Sequence, residues 1–240
     1  MKVLRDGSYS IEDEVAIEGA GVSPFIFGRG WLLEILELKS GEFYFLRDGE
    51  EIRPRSRRFG IFYPPFTIVH SFVRNIKGRV RGVGAVKNLP GLPAASMIFE
   101  TDFDEPFTST DQAVGILASC RDGQSIEMNS KPSLLSLKAK RLIDENFLVY
   151  PSIARIADRI GVSHAHLSRQ FKRDYEMSPS AYLHALRVAE ATFRLSIGEE
   201  IIDISYEVGY NDLSRFYKQF HKKTQTSPAM CRALLKSSHT

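Results

Sequence analysis

Two sets of residues in the last third of the chain have the types and spacing to recognise a polyanion. One is Ala165, Ser168, Arg169 and Lys172, flanked by His166 and Arg173; the other is Ser214, Arg215, Lys218 and Lys222, with Tyr217 and His221 among them. At 100° per residue each set falls on one helix face, opposite an apolar stripe of Leu167, Phe171 and Tyr175 or of Phe216 and Phe220. Small and basic side chains let a helix lie close to a DNA groove and reach base edges or phosphates. Arg169 is the strongest candidate for reading a base, since a guanidinium bonds bidentately to guanine O6 and N7, worth about 1–3 kcal/mol of discrimination. For Lys218 a phosphate contact is as well supported as a base contact. His164, His166 and His221 read as solvent-facing or phosphate-adjacent polar residues, and Arg187 and Glu190 as structural ion partners.

The elements that must carry these faces are written twice. Ile153, Ile156, Ile160 and Gly161 recur 48 residues later as Ile201, Ile204, Val208 and Gly209; Leu167, Phe171, Ser178 and Pro179 recur 49 later as Phe216, Phe220, Ser227 and Pro228. The spacing predicts a helix over Leu134 to Phe147 and a second one capped by Ser152 with the stripe Ile153, Ile156, Ala157 and Ile160. Gly161 ends that helix, and a third follows over Ser163 to Tyr175. Ser178-Pro179 serves as N-cap and first residue of a long helix ending near Gly198. Asp212 caps a helix over Leu213 to Lys223, and Ser227-Pro228 caps a short final one. This is a pair of helix-turn-helix units joined by a rigid helix, and it suggests two reading heads for DNA.

Charge follows the same division. The chain carries a net +3, but residues 131–240 hold 17 Lys+Arg against 11 Asp+Glu while residues 1–130 hold 15 against 18. The positive excess thus lies where phosphates would be neutralised. The stretch Arg121 to Ser133 is polar, contains Gly and Pro, and has no helical or strand period, so it reads as a linker. Upstream, strands are expected over Trp31 to Leu38, Glu42 to Arg47 with a hairpin turn at Asp48-Gly49, Phe59 to Tyr63, Thr67 to Val73 and Arg79 to Val86, forming a small barrel or sandwich. A short helix is expected at Asp111 to Cys120, with Val114, Leu117 and Ala118 on one face. The opening MKVLRDGSYSIEDE lacks the apolar region of a signal peptide, and no apolar run approaches the ~18 residues needed to span a membrane, so a cytoplasmic protein is expected. Cys120 and Cys231 lie in no zinc or redox spacing and read as small apolar residues.

The blocks LSRQFKR and MSPSAYLHALRVAEA, then IIDISYEVGYNDLSRFYKQF and SPAMCR, resemble the AraC/XylS family of bacterial transcription regulators, over Leu134 to Leu235. The resemblance implies double-stranded DNA as partner and places base contacts on Ala165, Ser168 and Arg169 in the first unit and on Ser214, Arg215 and Lys218 in the second. The chain departs from the family where Gly usually precedes each Ser-Pro, having Glu176 and Gln225, and where Cys231 replaces an aromatic. The stretch GEFYFLRDGEEIRPRSRRFGIFYPPFTIVHSF is similar to the family's cupin-like sensor barrel. The expected class is therefore α+β: a cupin-like sensor or dimerisation domain over 1–121, a linker over 122–133, and an all-α DNA-binding domain over 134–240. Two recognition helices about one turn of DNA (~34 Å) apart would read a bipartite site in successive major grooves.

Arg53, Arg55, Arg57 and Arg58 are the unusual feature of the first half. Together they suit a carboxylate or phosphate, the alternative being a solvated hairpin loop. Arg53 and Arg57 also match the R-x-x-x-R half of the PilZ signature for cyclic di-GMP, whose companion motif is absent. A small effector, anionic or cyclic di-GMP, is thus a candidate partner, as are a second copy of the chain and, for an activator, RNA polymerase. No cofactor is expected. His70 is the only His before residue 164, so a His-rich metal site of the catalytic cupins cannot form, and His70 reads as a hydrogen-bonded barrel residue. Two alternatives stand beside an effector-controlled regulator: one controlled without an effector, its first half a dimerisation or docking module, and a DNA-repair protein accepting alkyl groups on Cys120, which needs a reactive thiolate.

Overall fold

Alternation of apolar and polar residues in the first half produces one antiparallel sheet. The computed structural model describes residues 2–4, 8–26, 28–86, 89–120, 122–127, 132–149, 152–224 and 226–237. It divides into two compact units, Met1–Asn129 and Ser130–Thr240. The strands are β1 (Lys2–Val3), β2 (Tyr9–Ile26), β3 (Trp31–Arg47), β4 (Glu50–Ile52), β5 (Arg58–Tyr63), β6 (Ile68–Ala85), β7 (Met97–Glu100) and β8 (Gln124–Ser125). Their order is β1-β2-β6-β3-β5-β7-β8, with β4 paired to β3. Asp48 and Gly49 both take positive φ (51° and 83°), the conformation of a two-residue hairpin turn between β3 and β4.

Strands expected as separate pieces are continuous but bent. Trp31 to Leu38 and Glu42 to Arg47 form the single strand β3, and β6 likewise spans both of its expected pieces. The bends line up across three strands at Gly19, Gly41 and Asn75, each with positive φ, where the registers of β2 and β3 shift. Asn75 Oδ1 accepts from Gly19 N at 2.9 Å, and a Cβ on Gly41 would lie 2.5 Å from the Asn75 carbonyl oxygen, so only glycine fits there. The fold line curls the sheet onto itself. Phe43 stacks on Phe59 at 5.5 Å, although Phe59 pairs in register with Leu36, seven positions back and about 23 Å away on a flat strand. The expected barrel is thus a curled sheet whose ladder stays open among the described residues. The strand β2 has no counterpart in the sequence expectation, because Glu12, Asp13 and Glu14 interrupt its alternation and lie exposed.

The sheet has an apolar cluster on each face. The inner one joins Leu32, Phe45, Phe59, Ile61, Tyr63 and Ile98; the outer one joins Trp31, Leu33, Ile35, Phe62, Val83 and Phe99. Helix α1 (Thr110–Ser119) covers the outer face through Ala113 and Leu117. The expected face of Val114, Leu117 and Ala118 is thus corrected by one position, since Ala118 is exposed. His70 is buried on β6. Part of the expected linker belongs to the sheet: β8 pairs with β7, Ile126 is buried, and Glu127 accepts from Ser96 N at 2.8 Å. Arg121 and residues 128–131 of that stretch lie outside the described residues.

The second unit is all helical: α2 (Leu134–Asn146), α3 (Ile153–Ile160), α4 (His164–Tyr175), α5 (Pro179–Ser196), α6 (Ile201–Glu207), α7 (Leu213–Thr224) and α8 (Pro228–Ser237). The starts of α2 to α5 share one chemical cause. Ser133, Ser152, Ser163 and Ser178 accept from backbone N–H groups three residues on, and Pro179 occupies the first helical turn of α5. No helix among the described residues is long and apolar enough to cross a membrane.

Candidate nucleic-acid interface

The helix α4 stands on a floor of Leu167, Phe171 and Tyr175, all buried. Phe171 packs against Tyr175 and Tyr182 at 4.6 and 5.9 Å, joining α4 to α5. Asp174 adds a polar tie to the start of α2: it accepts from Ser133 Oγ at 2.6 Å and Ser133 N at 3.0 Å, and from Gln170 Nε2 of its own helix. Burial raises the Asp174 carboxyl, but these hydrogen bonds outweigh it and hold the pKa near 2. With its floor fixed, α4 turns Ala165, His166, Arg169, Lys172 and Arg173 outward, all exposed, with Ser168 half-buried among them.

The helix α7 repeats the arrangement on Phe216 and Phe220. Asp212 caps it, accepting from Ser214 N at 3.1 Å and Arg215 N at 3.0 Å. Its exposed face presents Ser214, Arg215, Lys218, His221 and Lys222, with Tyr217 half-buried. Among the described residues Arg169, Lys172, Arg215 and Lys218 make no ion pair with the protein, so their charge is available to an external anion. Arg215 and Lys222 also line a groove of about 370 Å³ with Ser180, His184 and Gln219.

Arg187 and Glu190, expected as structural ion partners, both lie buried on α5; Glu190 does pair with a cation, whereas Arg187 is held by a carbonyl and a ring. Arg187 Nε, buried on α5, donates to the Phe147 carbonyl at the end of α2 at 2.7 Å, and its guanidinium lies 5.5 Å from the Tyr210 ring. A Cβ on Gly209 would meet that guanidinium and the Leu148 carbonyl oxygen, each at 2.7 Å. His184 Nδ1 lies 3.0 Å from the Tyr210 hydroxyl, with the rings stacked. Burial, then the charges of Arg187, Arg215, Lys223 and Lys222, lower the His184 pKa to about 4, so the ring is neutral at pH 7. Glu190 pairs with Arg194, which also reaches Glu199 and Glu207 and so ties α5 to α6. The signal in the sequence was His184 and Arg187 one turn apart among the apolar residues Leu183, Ala185, Leu186 and Val188.

Glu176, where the family usually has Gly, caps α4 in the left-handed conformation (φ 57°), which explains why Gly is usual there. Gln225 lies outside the described residues. Cys231 is half-buried against the core of the second unit, and burial raises its thiol.

The arginines of the first half do not converge. Arg53 pairs with Glu51 at 2.8 Å and lies over Tyr44 at 4.3 Å. Arg55 donates its backbone N–H to Glu100. Arg57 donates to the Gly41 carbonyl at 3.3 Å, and Arg58 pairs with Glu37 and Asp104. Arg57 and Arg58 share a groove of about 470 Å³ with Glu37, Glu100 and Asp102, so carboxylates already face these guanidiniums.

A family model described as "Helix-turn-helix domain" matches residues 156–233. The chain is similar to the HTH-type transcriptional activator RhaS of Shigella boydii serotype 18, 34% identical over 74 residues, which cover 30% of this chain and 27% of that protein. It is also similar to the lactose operon transcription activator of Staphylococcus xylosus, 31% identical over 86 residues, covering 35% and 31%. The chain thus spans less than a third of the length of these curated relatives. Among solved structures, ToxT from Vibrio cholerae O395 bound to (E)-4-(8-methylnaphthalen-1-yl)but-3-enoic acid aligns with a TM-score of 0.60 at 10% identity, over 94% of this chain and 99% of that one. Wild-type ToxT from strain SCE256, bound to an unsaturated fatty acid, aligns at 0.55 and 11% identity, over 93% and 94%. At such identity these two show the fold alone. The repeated helix-turn-helix, its caps and the matched model together show that residues 156–233 form a helix-turn-helix domain of the AraC/XylS type, like that of these transcription activators.

Proposed function

We propose that the protein is a cytoplasmic, sequence-specific DNA-binding transcription regulator in which α4 and α7 enter successive major grooves and read a bipartite site. The observation that carries this reading is the pair of outward helix faces whose cations, Arg169 and Lys172 on one and Arg215 and Lys218 on the other, have no protein partner among the described residues. Ser168, Arg169, Ser214 and Arg215 contact bases; Ala165 lets α4 approach closely; Lys172, Lys218 and Lys222 contact phosphates. Because Arg187, His184 and Tyr210 fix α7 to α5, the DNA bends or one head binds loosely. Activation is supported by the similar proteins, which are transcription activators, and would take RNA polymerase as partner.

The curled sheet serves as a sensor for a small molecule. The ToxT structures of the same fold carry small carboxylic acids, which supports effector control as a class. An anion or cyclic di-GMP at Arg53, Arg55, Arg57 and Arg58 would have to displace the carboxylates that now pair with Arg53 and Arg58. Control without an effector, by a second copy docking on this unit, is the second reading. Alkyl transfer to Cys120 is disfavoured because burial raises that thiol, where a nucleophile needs it lowered. Hydroxyl-radical footprinting of the full chain on a selected site tests the two-headed reading: two protected patches on one face of the duplex, about ten base pairs apart, are expected. One patch alone, or uniform weak protection, would contradict it.

A further inference from the structure

The inner face of the curled sheet carries a carboxyl group that DNA reading does not use. Glu34 sits in the middle of β3 with β5 and β6 on its two sides. Its cross-strand row runs Ile11, Gly82, Glu34, Ile61, Ile98, and the next runs Tyr9, Gly84, Leu32, Tyr63. Glu34 is the one charged side chain in these two rows. The two glycines leave the strand beneath bare. A Cβ on Gly84 would lie 2.5 Å from the Tyr9 hydroxyl oxygen, and one on Gly82 would lie 3.4 Å from Glu34 Cγ, so both side chains lie over β6 in space that ordinary residues would fill.

The surroundings are apolar but not closed. Protein surrounds Glu34, yet it keeps accessible surface, as do Tyr9, Ile11, Leu36 and Phe43 on the same face. Glu34 pairs with no cation among the described residues. The groups that face it are Tyr9 from β2 and Tyr63 from β5, while β6 and β7 present Gly82, Gly84 and Ile98; Asp13, one row along β2, is exposed. Burial raises the Glu34 carboxyl to about 7, and the Tyr9 and Tyr63 hydroxyls are raised by burial and then by Glu34. A lone acid in an apolar recess is costly and is completed by an ammonium group, whereas a carboxylate ligand would meet like charge.

We propose that this face is the effector site and takes a small organic amine, its ammonium on Glu34 between the Tyr9 and Tyr63 hydroxyls and its apolar body against Leu36 and Phe43. The inference rests on the effector reading above and gives it a place and a ligand class. The test is calorimetric titration of the full chain with three matched probes: phenethylamine, 2-phenylethanol and phenylacetate. Phenethylamine binds best, and its affinity rises about tenfold from about pH 6 to about pH 8 as Glu34 ionises. Glu34→Gln, which keeps the shape, removes that rise and weakens binding at least about tenfold at the higher pH. Tyr9→Phe weakens it less, and circular dichroism shows both variants folded. Preferential binding of phenylacetate, phenethylamine affinity unchanged in Glu34→Gln, or no phenethylamine binding would each overturn the proposal. DNA affinity measured with and without phenethylamine, and separately with phenylacetate or cyclic di-GMP, reads effector control apart from binding at Glu34, so either idea can fail alone.

Discussion

The cations of the β-unit and those of the recognition helices look alike in sequence and differ in what they already touch. Arg53 and Arg58 are neutralised by Glu51, Glu37 and Asp104, and Arg57 is tied to a backbone carbonyl. The side chains of Arg169, Lys172, Arg215 and Lys218 make no ion pair among the described residues; Asp212, the acid one turn before Arg215, is occupied in capping α7 through the backbone N–H groups of Ser214 and Arg215. Local density of positive charge therefore says little about binding. The absence of an internal counter-ion says more, because an external anion then has no carboxylate to displace.

The largest effect expected from this contrast is at Arg169. Arg169→Ala should weaken binding to the selected site by about 1–3 kcal/mol, relax discrimination at one base pair, and leave stability within about 0.5 kcal/mol, as read by anisotropy and urea unfolding. A large loss of stability would mean that the side chain is structural after all.

Acidification probes the joint that aligns the two heads. The folded-state pKa of His184 is depressed to about 4, below its usual value near 6.5. The unfolded chain therefore binds more protons between these values, and stability falls as pH drops from about 6.5 towards about 4. Asp174, also depressed, contributes a second loss as pH falls from about 4 towards about 2. Glu34, raised by burial to about 7, adds stability as pH falls from about 7 towards about 4.5 and so opposes the His184 loss. The difference in urea midpoint between the wild-type chain and His184→Gln, in which Glu34 and Asp174 cancel, should fall as pH drops from about 6.5 towards about 4. A difference that does not change with pH would exclude His184 as a contributor.

Glu176→Gly should stabilise the chain by about 0.5–1 kcal/mol, since glycine adopts the left-handed cap without strain. At the opposite pole of the comparison, Arg58→Ala should cost less than about 1 kcal/mol of stability and leave DNA affinity unchanged. Lys218→Ala should lower the salt dependence of binding by about one phosphate contact, with little change in sequence preference.

The helical unit was legible because its rules are local. Ser152, Ser163, Ser178 and Asp212 announce helix starts, Gly161 a stop, and the stripes at Ile153, Leu167 and Phe216 give the buried faces. The β-unit was less so, since its decisive features are contacts between distant residues. The alignment of Gly19, Gly41 and Asn75 that curls the sheet joins three strands, and the acids that meet Arg58 come from β3 and from the segment after β7. Glu34 had a local signal, lying between Leu32 and Leu36 in an alternating strand, so that its inward direction was readable while its lack of a counter-ion was not.

The central claim is that one chain carries two DNA-reading heads held at a fixed spacing. Selection from a random DNA library by the full chain and by its Arg169→Ala variant, at one near-physiological salt concentration, tests it most directly. Two short boxes about ten base pairs apart, of which only one loses definition in the variant, are predicted. A single box, both boxes degraded together, or no enrichment by the wild-type chain would contradict it.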